Sequence, residues 1–143
     1  MAQFAVMAAI VGAWVLPPAW PDVVQRPFRY AGIAPAVSGL ALALWAHRSL
    51  GRSFTTFTSP PPSAERVEAG PYRLARHPMY GGGILLFGGL SLGFSVPALA
   101  LTVGLAVLWR AKSAVEERVL ALRFPDYDAY RRRTPRRFVP GIY

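Results

Sequence analysis

Apolar and polar positions along the chain fall into separate blocks. Residues 1–16 carry no charge, and Gln3 is their only strongly polar side chain. Residues 31–46 are again uncharged, and 80–109 form an uncharged run of 30 residues. A helix crossing an average hydrocarbon core needs roughly 20 residues, with about 17 at the low end. The first two runs are therefore marginal and need flanking residues such as Pro17, Trp20 and Tyr30 to reach the interface. The third is too long for one span. Pro97 falls near its middle, after Gly93-Phe94-Ser95-Val96. Proline disfavours helix at the residue before it and suits the first turn of a new one. The pattern predicts a tight hairpin, with one helix over 78–95 and a second starting near Pro97. Residues 110–123 suit a helix and no breaker intervenes before Pro125. The second helix is thus expected to run past its apolar half and out of the bilayer.

Composition sharpens this picture. Of the 143 residues, 53% are hydrophobic and 16% charged, and the net charge is +9. Soluble domains carry about 25% charged residues. A disordered basic tail would lack the apolar residues, and a short soluble nucleic-acid module would have no core to absorb them. The absence of cysteine excludes a disulfide scaffold, a cysteine-ligated metal and a cysteine nucleophile. Fifteen of the sixteen cations are arginine, and the other is Lys112. Only Arg26 and Arg29 fall between the first two apolar runs. The other fourteen lie between the second and third runs or after the last. The positive-inside rule makes those fourteen cytoplasmic. The expected fold is all-α: an integral-membrane helical bundle of about four transmembrane helices, with both termini cytoplasmic. A cleaved signal peptide over 1–16 is the weaker reading, because a basic n-region is missing. Arg131, Arg132, Arg133, Arg136 and Arg137 read as an orientation signal that attracts anionic headgroups. The tail shows no recognition helix, so neither a nucleic-acid partner nor a metal is expected.

Residues capable of chemistry concentrate in 47–80 and 110–143. The stretch Thr58-Ser59-Pro60-Pro61-Pro62-Ser63 is expected to break the first segment in two. That segment ends in Gly70-Pro71-Tyr72-Arg73-Leu74-Ala75-Arg76-His77-Pro78-Met79-Tyr80-Gly81-Gly82. Gly70-Pro71 signals a turn. His77 precedes proline and is placed near an N-cap, with Pro78 as the first helical residue. The free N–H groups after it, beside Arg76, would favour an anion such as a carboxylate. Gly81, Gly82 and Gly83 clear side chains from that turn, and Gly89-x-x-x-Gly93 is a small-residue packing pattern. The plainer alternative is a cap, interfacial tyrosines and packing glycines. In the second segment Lys112, Glu116 and Leu120 share a helix face. Glu117 is rotated by about 100°, so one glutamate of the pair is expected to look into a given pocket. The plainer alternative there is a solvated helix with weak charge pairs. Against it, two of only seven acids stand adjacent where the helix would leave the membrane.

Together these blocks resemble the integral-membrane methyltransferases of the isoprenylcysteine carboxyl methyltransferase and phospholipid methyltransferase group. The pattern G-P-Y-x-x-x-R-H-P-x-Y-x-G stands at residues 70–82. E-E-x-x-L-x-x-x-F and then Y-x-x-Y follow at 116–130, and an Arg-aromatic-x-Pro ending stands at Arg137-Phe138-Val139-Pro140. The resemblance implies S-adenosylmethionine as methyl donor, with residues 1–46 forming two N-terminal spans. Residues 47–143 would be the catalytic region: a cytoplasmic loop, the helical hairpin 78–123 and the basic tail. Tyr72, His77, Pro78, Met79 and Tyr80 would line the cofactor site, with Gly82 closing the motif. Val67 is the one match in the block that precedes it. Glu116 would meet the cofactor. Lys112 stands where the best-known members carry an arginine near the acceptor, and it lacks the planar bidentate fork.

The physics agrees with this assignment. The helix start beside Arg76 and His77 suits the donor's carboxylate, and Glu116 suits its ammonium. The ring of Tyr72 or Tyr80 suits the adenine or the sulfonium. In-line methyl transfer relies on alignment and water exclusion. Expected partners are membrane lipids and a lipophilic acceptor: an isoprenylcysteine carboxylate, a lipid amine, an isoprenoid acid or a small thiol. An NADPH-dependent reductase of the sterol type would show R-H-x-N-Y-x-G-D, and this chain lacks that Asn and Asp. A non-catalytic lipid-binding protein is the third possibility.

Overall fold

In the computed structural model the described residues are 2–16, 21–53 and 66–140. They form α1 (Ala2–Trp14), α2 (Asp22–Leu50), α3 (Pro78–Phe94), α4 (Val96–Arg123) and α5 (Tyr127–Arg133), with 3-10 turns at Gly51–Ser53 and Gly70–Arg73. Among the described residues there is no strand, in line with the all-α expectation. The expected break at 58–63 lies outside them.

The hairpin falls where proline puts it. α3 starts at Pro78, Ser95 alone separates it from α4, and α4 runs unbroken to Arg123. Ser95 then caps the second helix, its Oγ accepting the Ala98 N–H at 3.4 Å. α2 is longer than its apolar run. It begins at Asp22 and takes in Arg26 and Arg29, expected between two spans, and Tyr30, expected to flank the second. Pro27 and Pro35 each cost α2 one ladder hydrogen bond, but the helix continues through both.

Among the described residues two helices are long and apolar enough to cross a membrane: Gln25–Leu50 and Val96–Arg123. α1 and α3 are shorter apolar helices of 13 and 17 residues. At 1.5 Å per residue, 13 residues reach only about 20 Å, against about 30 Å of hydrocarbon.

The chain divides into two compact units. The first comprises Met1–Ala41 and Gly83–Trp109. Its core is made by close backbone approach. A Cβ on Gly89 would overlap the Gly32 carbonyl and the Ala36 backbone of α2, and one on Gly93 would press on Arg29. The Gly89-x-x-x-Gly93 stripe is thus the surface that α2 packs on. Polar side chains buried in this unit are bonded to one another. Trp14 Nε1 donates to Ser91 Oγ at 3.2 Å, Ser91 pairs with Thr102 Oγ1 at 3.2 Å, and Thr102 donates to the Ala98 carbonyl at 2.9 Å. Gln3 Oε1 accepts from Trp109 Nε1 at 3.3 Å. In an apolar setting each such group would be costly unpaired.

The second unit comprises Leu42–Gly82 and Arg110–Tyr143. It draws together the end of α2, both 3-10 turns, the first turn of α3, the polar half of α4, α5 and the tail. Every residue proposed for chemistry falls in it.

Gly89→Val is expected to overpack the α2–α3 contact at a cost of about 1–3 kcal/mol, lowering the thermal midpoint in detergent by several degrees. Gly104 has open space around it in α4, so Gly104→Ala is expected to hold or raise the midpoint. Circular-dichroism melts of the two variants check the contrast.

Candidate active site

The site is built where α3 begins. Gly70-Pro71 opens the 3-10 turn, which buries Pro71 and Tyr72. The chain then meets its own C-terminal tail: the N–H groups of Arg76 and His77 donate to the carbonyls of Arg136 and Arg137 at 3.0 and 2.7 Å. The His77 carbonyl accepts the N–H groups of Tyr80 and Gly81, and so starts the helix on Pro78. A Cβ at position 81 would overlap the Phe138 carbonyl, so the tail can lie here only against glycine.

α4 supplies both glutamates, and the imidazole of His77 lies between them. Glu117 is 5% exposed. Its Oε1 accepts from Arg76 Nε at 2.9 Å and lies 3.2 Å from His77 Nε2, and its Oε2 accepts from Arg137 Nη2 at 3.0 Å. A carboxylate only accepts, so His77 Nε2 carries the hydrogen. Glu116 is held differently. Its Oε1 accepts the Tyr80 hydroxyl at 2.7 Å and lies 3.5 Å from Lys112 Nζ, while Oε2 is 3.6 Å from His77 Nδ1. The Tyr80 ring lies nearly parallel to the His77 ring, 6° apart with centroids at 5.7 Å. Lys112 Nζ is 5.5 Å from the Tyr80 ring centre.

The structure therefore brings Tyr80, His77, Lys112 and Glu116 into one cluster. It departs from the sequence reading in three ways. Both glutamates address the cluster, where one was expected. The 100° turn between them is bridged because an imidazole offers a nitrogen at each side of its ring. Arg76, expected beside a ligand carboxylate, is turned inward: Nε is on Glu117, and Nη1 donates to the carbonyls of Thr134 and Pro135 at 2.7 and 2.6 Å. The expected row of free N–H groups is reduced. Pro78 has none, and those of Arg76, His77, Tyr80 and Gly81 have carbonyl acceptors. Pro78 and Gly82 are buried in α3, and Met79 and Val67 are half-buried. Among the described residues no group of three or more His, Asp or Glu is placed to hold a metal ion.

Glu117, Arg137 and Phe138 were not singled out for the site by the sequence. The Arg-aromatic-x-Pro ending was the available signal: Phe138 packs 6.3 Å from the His77 ring, and Arg137 pairs with Glu117. A second ion-pair group holds the stretch before Gly70. The Arg66 fork engages both oxygens of Asp126, and Glu68 pairs with Arg133 at 2.9 Å. The Arg66 hydrogen bond holds the Asp126 carboxyl below its usual range. Beneath these pairs the Tyr130 hydroxyl donates to the Tyr72 carbonyl at 2.7 Å. Burial, and then the charge of Glu68, push the Tyr130 phenol up to about 12.

Because Glu117 is buried and holds Arg76, Arg137 and His77, Glu117→Gln is expected to cost about 3 kcal/mol or more, and Glu116→Gln about 1 kcal/mol. Thermal melts in detergent check the order. The folded protein favours the neutral Tyr130 phenol. That contribution is whole below the ordinary tyrosine value near 10 and is lost as pH rises from there toward about 12. The stability gap between wild type and Tyr130→Phe should thus be about 1 kcal/mol at neutral pH and shrink above pH 10, as paired melts would show.

Two curated relatives are similar to part of this chain. The cobalt-zinc-cadmium resistance protein CzcN of Cupriavidus metallidurans is 42% identical over 73 residues, covering 48% of this chain and 33% of that protein. The nickel-cobalt-cadmium resistance protein NccN of Alcaligenes xylosoxydans xylosoxydans is 36% identical over 76 residues, covering 51% of this chain and 35% of that protein. The matched stretch thus spans about a third of each relative's length. The family model for phospholipid methyltransferases matches residues 28–126. That match takes in α3, α4, His77 and both glutamates, and the chain belongs to the phospholipid methyltransferase family.

Proposed function

We propose that the chain transfers the methyl group of S-adenosylmethionine to a lipophilic or membrane-associated acceptor. In this reading α1 and α3 join α2 and α4 as four spans, both termini are cytoplasmic, and the cluster around His77 lies at the cytoplasmic interface. Membership of a membrane methyltransferase family supports the reaction class. The observation that carries the site is the contrast between the two glutamates. Glu117 is held by two arginines and by His77. Glu116 has the neutral Tyr80 hydroxyl at short range, and the charged Lys112 and the His77 ring only at 3.5 and 3.6 Å. A carboxylate so held, 14% exposed, can take up an ammonium without breaking a tight ion pair.

When bound, the donor supplies an electrophilic methyl on sulfonium: the S–CH3 bond breaks as the bond to the acceptor's O, N or S forms, leaving neutral S-adenosylhomocysteine. Glu116 holds the ammonium end, and Tyr80 and Tyr72 offer ring faces to the adenine or the sulfonium. Lys112 attracts an anionic acceptor such as a carboxylate or thiolate and orients it as a point charge. Such an acceptor needs no proton removed. Glu117 fixes His77, and thereby Tyr80 and the start of α3, so alignment is preset by the fold. The NADPH reductase reading is not favoured, since the matched family is one of methyltransferases.

Calorimetry on the purified protein in detergent is expected to show binding of S-adenosylmethionine and none of NADPH. Absence of binding at millimolar donor would overturn the proposal. Glu116→Gln and His77→Ala are expected to weaken donor binding by roughly tenfold or more, the loss of a charged hydrogen bond. Labelled S-adenosylmethionine with a total lipid extract should place label in the organic phase.

A further inference from the structure

The first unit contains a cleft of about 500 Å³ that the methyl-transfer reading does not use. One wall is the face of α2 that carries Arg26, Arg29 and Ile33, spaced i, i+3 and i+7. The other is the last turn of α3, with Leu90 and Phe94. The floor is Gly32 against Gly89, where the two backbones touch. α3 thus carries proposed site residues in its first turn and cleft residues in its last.

The chemistry of this cleft is two-sided. Arg29 and Arg26 are exposed, and Arg29 extends over the Phe94 ring at 6.0 Å. Among the described side chains no carboxylate pairs with either arginine. Below them the walls are Ile33, Leu90 and Phe94. The two arginines stand where an apolar, membrane-length helix begins, and they are the two cations that the charge asymmetry leaves on the cation-poor side. Nor is either needed to satisfy the Gly93 carbonyl at the end of α3, which Gln25 Nε2 already caps at 3.3 Å. Two guanidinium groups above an apolar trough match a phosphate joined to a hydrocarbon chain.

We infer that this cleft binds one phospholipid of net negative charge. Arg26 and Arg29 hold its phosphate, and an acyl chain lies along Ile33, Leu90 and Phe94. The inference is independent of the methyl-transfer reading.

A fluorescent phosphatidylglycerol titrated into the full chain in neutral detergent micelles tests it. One saturable site is expected, with a fluorescent phosphatidylcholine bound more weakly. Arg26→Gln with Arg29→Gln should weaken phosphatidylglycerol binding about tenfold or more, given the strength of charge-assisted bonds. Ile33→Trp, which fills the trough and keeps both charges, should weaken it comparably. Arg110→Gln with Arg118→Gln, two exposed arginines of α4 outside the cleft, should leave it unchanged. Circular dichroism confirms that each variant is folded. Unchanged affinity in the Arg26/Arg29 variant or in Ile33→Trp would overturn the inference. So would displacement of the lipid by millimolar inorganic phosphate, which would mark a free-anion site instead.

Discussion

The second unit depends on one carboxylate. Glu117 offers two oxygens, and three groups from two stretches of chain converge on them: Arg76 and His77 ahead of α3, and Arg137 in the tail. Burying an unpaired carboxylate would cost several kcal/mol (on the order of 5). Here the partners needed to avoid that cost are the residues that fix where α3 begins and where the tail lies. Arg76 extends the constraint by donating to two tail carbonyls. The geometry of the cluster is thus a by-product of neutralising one charge. Glu116, one residue earlier, is left with longer ionic contacts.

This division of labour gives the Glu116-Glu117 pair a physical meaning. Two adjacent glutamates on a helix point about 100° apart and would ordinarily serve two surfaces. His77 lets them serve one, because its nitrogens face both carboxylates while its backbone begins α3. Tyr80, one turn on, lies along the same ring and donates to Glu116. Exchanging the roles of the two glutamates would put the tightly paired carboxylate beside Tyr80 and Lys112 and leave the tail unpinned.

What the sequence revealed was governed by local rules. Pro78, Pro97 and Pro125 each act on their nearest neighbours, so the start of α3, the break at Ser95 and the length of α4 were readable. The helical spacing of Lys112 and Glu116 was readable for the same reason. The partners of Glu117 were not, since Arg137 lies 20 residues away and meets it only after the chain has turned through α5. The reach of α2 over Arg26 and Arg29 was also hidden. Two charges read locally as a connection, but the packing of Gly89 on Gly32 and of Gly93 on Arg29 holds that stretch as helix. The inward turn of Arg76 was illegible too, because its acceptors are backbone carbonyls of the tail.

The backbone bonds from Arg76 and His77 to Arg136 and Arg137 join positions about 60 residues apart in the chain. A ribosome adds residues at roughly 5–20 per second, so the earlier partners wait several seconds for the later ones to be made. α3 and α4 are made during that wait and are complete before it ends, with His77, Tyr80 and both glutamates already synthesised when residue 136 is added. Assembly of the cluster is therefore ordered in time: helices first, then closure by a short segment arriving last. A chain released before residue 136 would contain every residue proposed for chemistry without the strap that aligns them.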